Sequence, residues 1–172
     1  MSTHPTLAAS LAADRDAVET FRRTAEAVPP DRWGTPRAPG KWSPAQVVEH
    51  IALAYETNTR LLRGRVPGGA PRWLRPLIRK FLLGMVLRRG DFARRARAPK
   101  IMEPAVSQPA APAAELLARL DAAAGNFEAG AAAHLGDTLE HPFFGKVPLT
   151  DIVRLSEIHT RHHTSQLAPL PG

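Results

Sequence analysis

The sequence of 172 residues contains no cysteine. It can therefore form no disulfide bond, no thiolate metal site and no cysteine nucleophile. A reducing cytoplasm is the simplest compartment for such a chain, so we expect a cytoplasmic protein. No apolar run approaches the roughly 18 residues of a membrane span. The first residues lack the basic and apolar regions of a signal peptide, so none is expected.

Aromatic residues are also few, with six Phe, three Trp and one Tyr. Hydrophobic residues make up 44% of the chain, and many of them are Ala and Leu in periodic segments. The strict alternation of apolar and polar residues that is typical of strands is rare. These features predict an all-α protein, and the length favours a single domain over residues 1–172.

Apolar residues spaced by three and four predict core helices over residues 7–28, 43–63, 113–133 and 149–167. The second helix has the clearest start signal, because Ser43 and Gln46 can form a capping box and Pro44 suits the first helical position. Gly64 is a plausible C-terminal cap. Four helices with a long connection between the second and third predict a four-helix bundle.

The long connection is basic and partly helical. An amphipathic helix is predicted over residues 72–87, with a break near Pro76 or Gly84, followed by an extended connection over 88–112. The segment from Arg60 to Lys100 holds 13 of the 23 basic residues and one acid, a net charge of +12. Residues 135–148 are predicted to be a further connection, in which His141 either forms a structural turn or lines a site.

Three histidines lie within five residues of the last helix. His159 and His163 are four residues apart and share the apolar face of this helix, whereas His162 points about 100° away. His50 lies on an apolar face of the second helix. Three imidazoles from two helices can hold a divalent metal and leave a coordination position open. The alternative is three unrelated buried histidines.

Three stretches carry a resemblance to a known family. They are Trp42-Ser-Pro-Ala-Gln-Val-Val-Glu-His-Ile-Ala-Leu53, His141-Pro-Phe-Phe-Gly-Lys146 and His159-Thr-Arg-His-His-Thr-Ser-Gln166. Together they resemble the DinB-like (YfiT-like) superfamily. The resemblance implies an up-down-down-up four-helix bundle and a divalent metal, zinc or nickel. The implied ligands are His50, His159 and His163. Pro148 departs from the Ser or Thr cap that usually opens the last helix of this family.

The resemblance also implies a class of chemistry. Characterised members of the superfamily include transferases that use low-molecular-weight bacterial thiols and a mycothiol-dependent isomerase. A metal with three neutral ligands strongly acidifies a bound thiol or water. Glu49 and Glu157 are predicted to point away from the ligands, which favours a thiol-dependent transferase or isomerase over a hydrolase. Gln166 is a candidate for orienting a ligand. A non-catalytic metal- or small-molecule-binding stress-response bundle is the alternative from another class.

The expected partners are therefore a small-molecule substrate or thiol. The basic segment is interpreted either as a solvated face or as a cover over the metal site that presents Arg to an anionic substrate. Nucleic acid is disfavoured because no DNA-binding motif is recognised. A membrane surface is disfavoured as well. A homodimer stays an open alternative, since members of the superfamily often dimerise.

Overall fold

The computed structural model describes residues 5–65, 68–92, 103–104 and 110–167. Four long helices dominate this part of the chain, and two short helices and a β-hairpin lie between them. The helices and strands are α1 (Leu7–Glu26), α2 (Pro44–Leu62), α3 (Arg75–Ile78), α4 (Gly84–Arg89), α5 (Ala113–Ala132), β1 (Thr138–His141), β2 (Gly145–Pro148) and α6 (Leu149–Leu167).

The start of α2 is fixed by the predicted capping box. The Ser43 hydroxyl accepts a hydrogen bond from the Gln46 backbone N–H at 3.3 Å, and the Gln46 side chain accepts from the Ser43 N–H at 3.0 Å. Two backbone donors that the helix itself cannot satisfy are thereby paired. At the other end, Gly64 adopts a φ of +66°, which favours glycine. Local sequence chemistry therefore sets both ends of this helix.

Contacts between side chains give the directions of the four long helices. Glu56 pairs with Arg119, and Leu62 approaches Gly130 further along, so α2 and α5 are parallel. In contrast, His50 faces His159 while Asn58 bonds Ser156, which makes α2 and α6 antiparallel.

The first helix completes the arrangement. Arg15 pairs with Glu128, and Arg22 lies within electrostatic range of Asp121, so α1 runs antiparallel to α5. It packs mainly along α6, with which it is therefore parallel. The result is the predicted up-down-down-up bundle. Its core holds fully buried side chains from all four long helices, among them Phe21, Ile51, Tyr55, Leu120, Phe127 and Ile152.

Residues 135–148 differ from the prediction of a plain connection. They contain an antiparallel hairpin in which Leu139 pairs with Val147, and both side chains are buried. Strands of four residues carry too little alternation to be recognised in a sequence. The backbone N–H of Leu149 donates to the Asp137 carbonyl at 2.8 Å, so the hairpin directly precedes and anchors the start of α6.

His141 is a structural residue of this hairpin. Its Nδ1 accepts hydrogen bonds from the backbone N–H groups of Phe143 and Phe144, and its ring stacks on Phe144 at 4.3 Å. Burial, with a contribution from the charge of Arg75, lowers the pKa of His141 to about 4. The neutral ring is therefore a stable acceptor at the turn, away from the other histidines.

The basic segment is helical from Arg75 rather than from Arg72, with Pro76 in its first turn. A π-helical stretch over Arg79–Leu83, not a break, joins α3 to α4. Arg75 pairs with Glu140 of the hairpin, and Arg154 of α6 donates to the Leu87 carbonyl, so the segment is held against the bundle. The predicted extended connection over 88–112 lies largely outside the described residues. In the described ranges, no helix combines the length and apolarity needed to cross a membrane.

Candidate metal centre

The three predicted ligands meet between α2 and α6. His50, His159 and His163, here called the histidine triad, each offer a ring nitrogen, and these nitrogens lie within 4.8 Å of one another. The Nε2 atoms of His50 and His159 are 3.1 Å apart. His50 and His163 are buried, while His159 is partly exposed. The structure therefore brings together residues that are 109 positions apart in the chain.

The positions of the triad follow from the helices that carry it. His159 and His163 stand one turn apart on α6, whose start is held by the hairpin. His50 lies in the second turn of α2, just beyond the capping box. Since α2 and α6 are antiparallel neighbours, the single histidine of one helix faces the pair of the other.

Two rings of the triad, those of His159 and His163, are neutral near pH 7. Burial, reinforced by the neighbouring imidazoles, lowers the pKa of His159 well below its ordinary value. The same causes, burial first and then the charge of His50, lower the pKa of His163 to about 3. Neutral imidazole is the form that binds metal, so little proton release is needed at this site.

A chain of hydrogen bonds orients His163. Asp91 accepts from His162 Nδ1 at 2.8 Å, and the Gln166 amide nitrogen donates to His162 Nε2 at 3.2 Å. The Gln166 Oε1 can only accept, so the His163 Nδ1 at 3.0 Å donates to it. This set of hydrogen bonds gives each contact one donor and one acceptor. It places the lone pair of His163 on Nε2, available to a metal.

His162 and Gln166 thus support the triad from outside it. The sequence predicted that His162 is off the ligand face, and its ring nitrogens bond Asp91 and Gln166. Gln166 contacts two histidine rings, and its role in orienting a ligand stays a prediction.

Two aromatic rings pack on the triad. Trp42 lies 4.7 Å from the His50 ring and 6.1 Å from that of His163. Phe92 lies 5.2 Å from the ring of His159. No sequence signal identified Phe92, because its place depends on where the chain runs after α4. The chain just after α4 thus brings Phe92 to the triad and Asp91 to His162 beside it.

The acidic residues next to the triad in sequence are engaged elsewhere. Glu49 lies 3.6 Å from Arg119 of α5, and Glu157 pairs with Arg161 on α6 itself. This matches the prediction that both carboxylates point away from the ligands. In the described ranges, no carboxylate belongs to the cluster of metal-ligating groups around the triad.

The triad fits a divalent metal. Two imidazole nitrogens on a tetrahedral zinc ion, each about 2.05 Å from it, are about 3.3 Å apart. The observed 3.1 Å between His50 and His159 is close to this value. Two such neutral ring nitrogens in contact can share at most one proton, whereas a metal satisfies both. Three histidine ligands leave the fourth tetrahedral position for another molecule.

Comparison with known proteins adds the family. The family model of the DinB superfamily matches residues 13–167 of the chain. The chain belongs to the DinB superfamily. The crystal structure of TT2238, described as a four-helix bundle protein, is similar with a TM-score of 0.57. The match covers 94% of this chain and 98% of that chain at 22% identity, which shows the fold alone. None of the curated proteins matches the sequence.

Membership of the DinB superfamily and the helical bundle, both predicted from the sequence, are therefore confirmed. The triad of this DinB-superfamily chain is a possible metal site by its geometry. The ligand roles of the three histidines, the metal and the reaction remain proposals.

Proposed function

We propose that this DinB-superfamily protein is a metal-dependent enzyme, a transferase or isomerase that activates a low-molecular-weight thiol. His50, His159 and His163 would hold the divalent ion, zinc or nickel. The observation that carries the proposal is the convergence of three imidazoles from two helices, whose ring nitrogens lie within 4.8 Å of one another. Imidazole ligands suit both metals, and a softer sulfur ligand in the open position is compatible with either.

The chemistry that such a metal supplies is a lowered pKa for a coordinated thiol or water, since neutral ligands leave its charge undiminished. The residues of the chain would bind the metal and orient its ligands. Gln166 holds the ring of His163, and burial keeps His159 and His163 deprotonated. Trp42 and Phe92 pack against rings of the triad.

The arrangement of carboxylates favours a thiol over water as the activated group. A free thiol has a pKa of about 8.5, whereas that of bulk water is 15.7. A thiol therefore needs less help from a general base. The two nearest candidates in sequence, Glu49 and Glu157, are paired with arginines. A metal-dependent hydrolase is the alternative that the same site would support if a base were supplied.

The first test is the metal content of the protein. It should be purified without a histidine tag and analysed by plasma mass spectrometry as isolated and after incubation with zinc or nickel. We expect about one metal per chain in the wild type and almost none in His159→Ala. The matched control is His134→Ala, which changes a histidine beyond the end of α5 and should keep the metal. Near-zero metal in the wild type under both conditions would overturn the proposal.

The second test separates the possible activities. The metal-loaded protein should be assayed for conjugation of bacillithiol, mycothiol and glutathione to a model electrophile, and in parallel for esterase and amidase activity. Thiol conjugation that is lost in His159→Ala supports the proposed transferase. Hydrolysis without any thiol would assign the protein to the hydrolase alternative. Metal binding with neither activity would favour a binding protein.

A further inference from the structure

Arg37 is a positive charge beside the histidine triad that the proposed function does not use. It lies in the connection between α1 and α2, five residues before Trp42, and is partly buried. Its Nη1 donates one long hydrogen bond of 3.4 Å to the backbone carbonyl of Gln166. The charge of Arg37 contributes to the lowered pKa of His163, so the guanidinium is within electrostatic range of that ligand.

The guanidinium has unused binding capacity. An arginine carries five N–H donors in a planar fork that matches a carboxylate. In the ranges that the structure describes, none of the ion pairs involves Arg37. This contrasts with Arg15, Arg22 and Arg119, each of which pairs with a glutamate. A partly buried arginine without an acidic partner, next to a ligand cluster, is a candidate anion-binding group.

The charges around the triad also favour the binding of an anion. Imidazole ligands carry no negative charge, so a bound divalent metal would keep its full charge, and Arg37 adds a third positive charge. The acidic side chain found near the ligands is Asp91, which is engaged by His162. An incoming molecule that carries both a thiolate and a carboxylate would offset this excess of positive charge.

We infer that Arg37 binds a carboxylate of the thiol, so that the substrate class of this site is thiols that carry a carboxylate. The inference rests on the proposed function, because it takes the thiol to bind at the metal held by the triad. The sulfur would occupy the open metal position, and the carboxylate would accept hydrogen bonds from the guanidinium. Arg37 is then a specificity-determining residue.

A structural role for Arg37 predicts something different. An arginine near the C-terminal end of a helix also stabilises the last carbonyl groups and the helix dipole. If that were its whole role, its replacement would lower the stability of α6 and would change the affinity for all thiols to the same extent. The two roles are distinguished by ligands that differ only in the carboxylate.

The experiment uses protein loaded with Co²⁺, whose absorption bands report a coordinated sulfur. Mercaptoacetate, 3-mercaptopropionate and 4-mercaptobutyrate are titrated against the mercaptoalcohols of equal length, and each Kd is measured. In the wild type we expect the best carboxylate thiol to bind about tenfold more tightly than its alcohol, as a charged hydrogen bond implies. Arg37→Gln should abolish this preference, and Arg37→Lys should retain part of it.

Arg32→Gln is the matched control, because it removes an exposed arginine from the same connection. It should keep the carboxylate preference. Cobalt content and thermal unfolding of each variant establish that the site is intact. The inference would be overturned if the wild type coordinated thiols without preferring the carboxylate thiols, or if Arg37→Gln kept that preference. Either result would leave the proposed function standing. If no thiol changes the cobalt spectrum, the proposed thiol activation fails and the inference fails with it.

Discussion

Two groups of polar side chains include neighbouring residues of α6 and differ in how their hydrogen-bonding groups are satisfied. One is the histidine triad. The other consists of Asp14, Tyr55 and Thr160, here called the tyrosine layer. The Tyr55 hydroxyl donates to Asp14 at 2.8 Å and accepts from the Thr160 hydroxyl at 3.0 Å. The tyrosine layer is thus paired within the protein, whereas the triad brings together like groups that cannot pair fully with one another.

This difference separates a structural network from a ligand site. Buried polar groups cost free energy unless they are hydrogen-bonded, so a network that is complete specifies the packing of α1, α2 and α6. Three clustered imidazoles instead offer nitrogen atoms to which one cation can bind. The two groups should therefore respond in opposite ways to mutation: the triad through metal content and the tyrosine layer through the free energy of unfolding.

The largest effect is expected for His50→Ala. It removes one of three ligands, so the metal affinity should fall by more than about 100-fold, since loss of a supporting residue alone costs 10- to 100-fold. The measurement is metal content after dialysis against a weak chelator. His162→Ala is the control and should retain metal, because this ring lies outside the triad. The reverse pattern would overturn the ligand assignment.

The next largest effect is the change in the free energy of unfolding with pH that arises from Asp14. Burial raises the pKa of Asp14 from 3.8 to about 7, against the opposing hydrogen bond from Tyr55. The folded protein therefore holds this proton more tightly than the unfolded chain. The resulting stability is fully present below pH 3.8 and is lost as the pH rises through about 7. At 1.36 kcal/mol per pKa unit, the loss is on the order of 4 kcal/mol.

Asp14→Asn should remove this dependence. Urea unfolding of the metal-free variant at pH 4.5 and 7.5 should show a smaller decline in stability with pH than the wild type. The lowered pKa of His163 affects stability in the opposite direction. Its contribution to stability is present above pH 6.5 and is lost as the pH falls through about 3. This contribution is common to both proteins, so their difference isolates Asp14. Parallel pH curves would argue against a buried, protonated Asp14.

A smaller loss of stability is expected for Tyr55→Phe. The change deletes the hydroxyl and leaves the buried Asp14 without its donor, which should cost about 1–3 kcal/mol in the free energy of unfolding. Metal content should not change. Thr24→Ala, which removes an exposed hydroxyl from α1, is the control and should have little effect on stability. Loss of metal in Tyr55→Phe would mean that the two groups are not independent.

The smallest effect on metal is expected for Gln166→Leu. It removes the acceptor that orients His163, so metal affinity should fall about tenfold while a Gln166→Glu variant, which keeps an acceptor, should lose less. Competition with a chromogenic chelator gives both affinities. Equal affinities for wild type and Gln166→Leu would show that packing alone holds the ring of His163.

The bundle and the triad could be predicted because they depend on local patterns. Caps at Ser43 and Gln46 and the spacing of His159 and His163 act within one or two helical turns. The tyrosine layer could not be predicted from the sequence. Asp14, Tyr55 and Thr160 come from three helices, and α2 is buried against both α5 and α6, so no single apolar face of α2 marks Tyr55 as their partner.

The remaining parts depend on the path of the chain between helices. Asp91 and Phe92 reach the triad because Gly90, with a φ of +66°, turns the chain after α4 towards α6. The pairing of the hairpin depends on strands too short to have a period. Neither feature follows from a pattern on a single helix.

The 109-residue separation of His50 and His159 has a consequence for the lifetime of the fold. A metal held by both residues would act as a removable crosslink, closing a large loop in a chain that has no cysteine for a permanent one. Unfolding would break this crosslink and leave the metal with only the neighbouring pair on α6. Exchange of the ion with its surroundings would then be governed by how often α2 separates from α6.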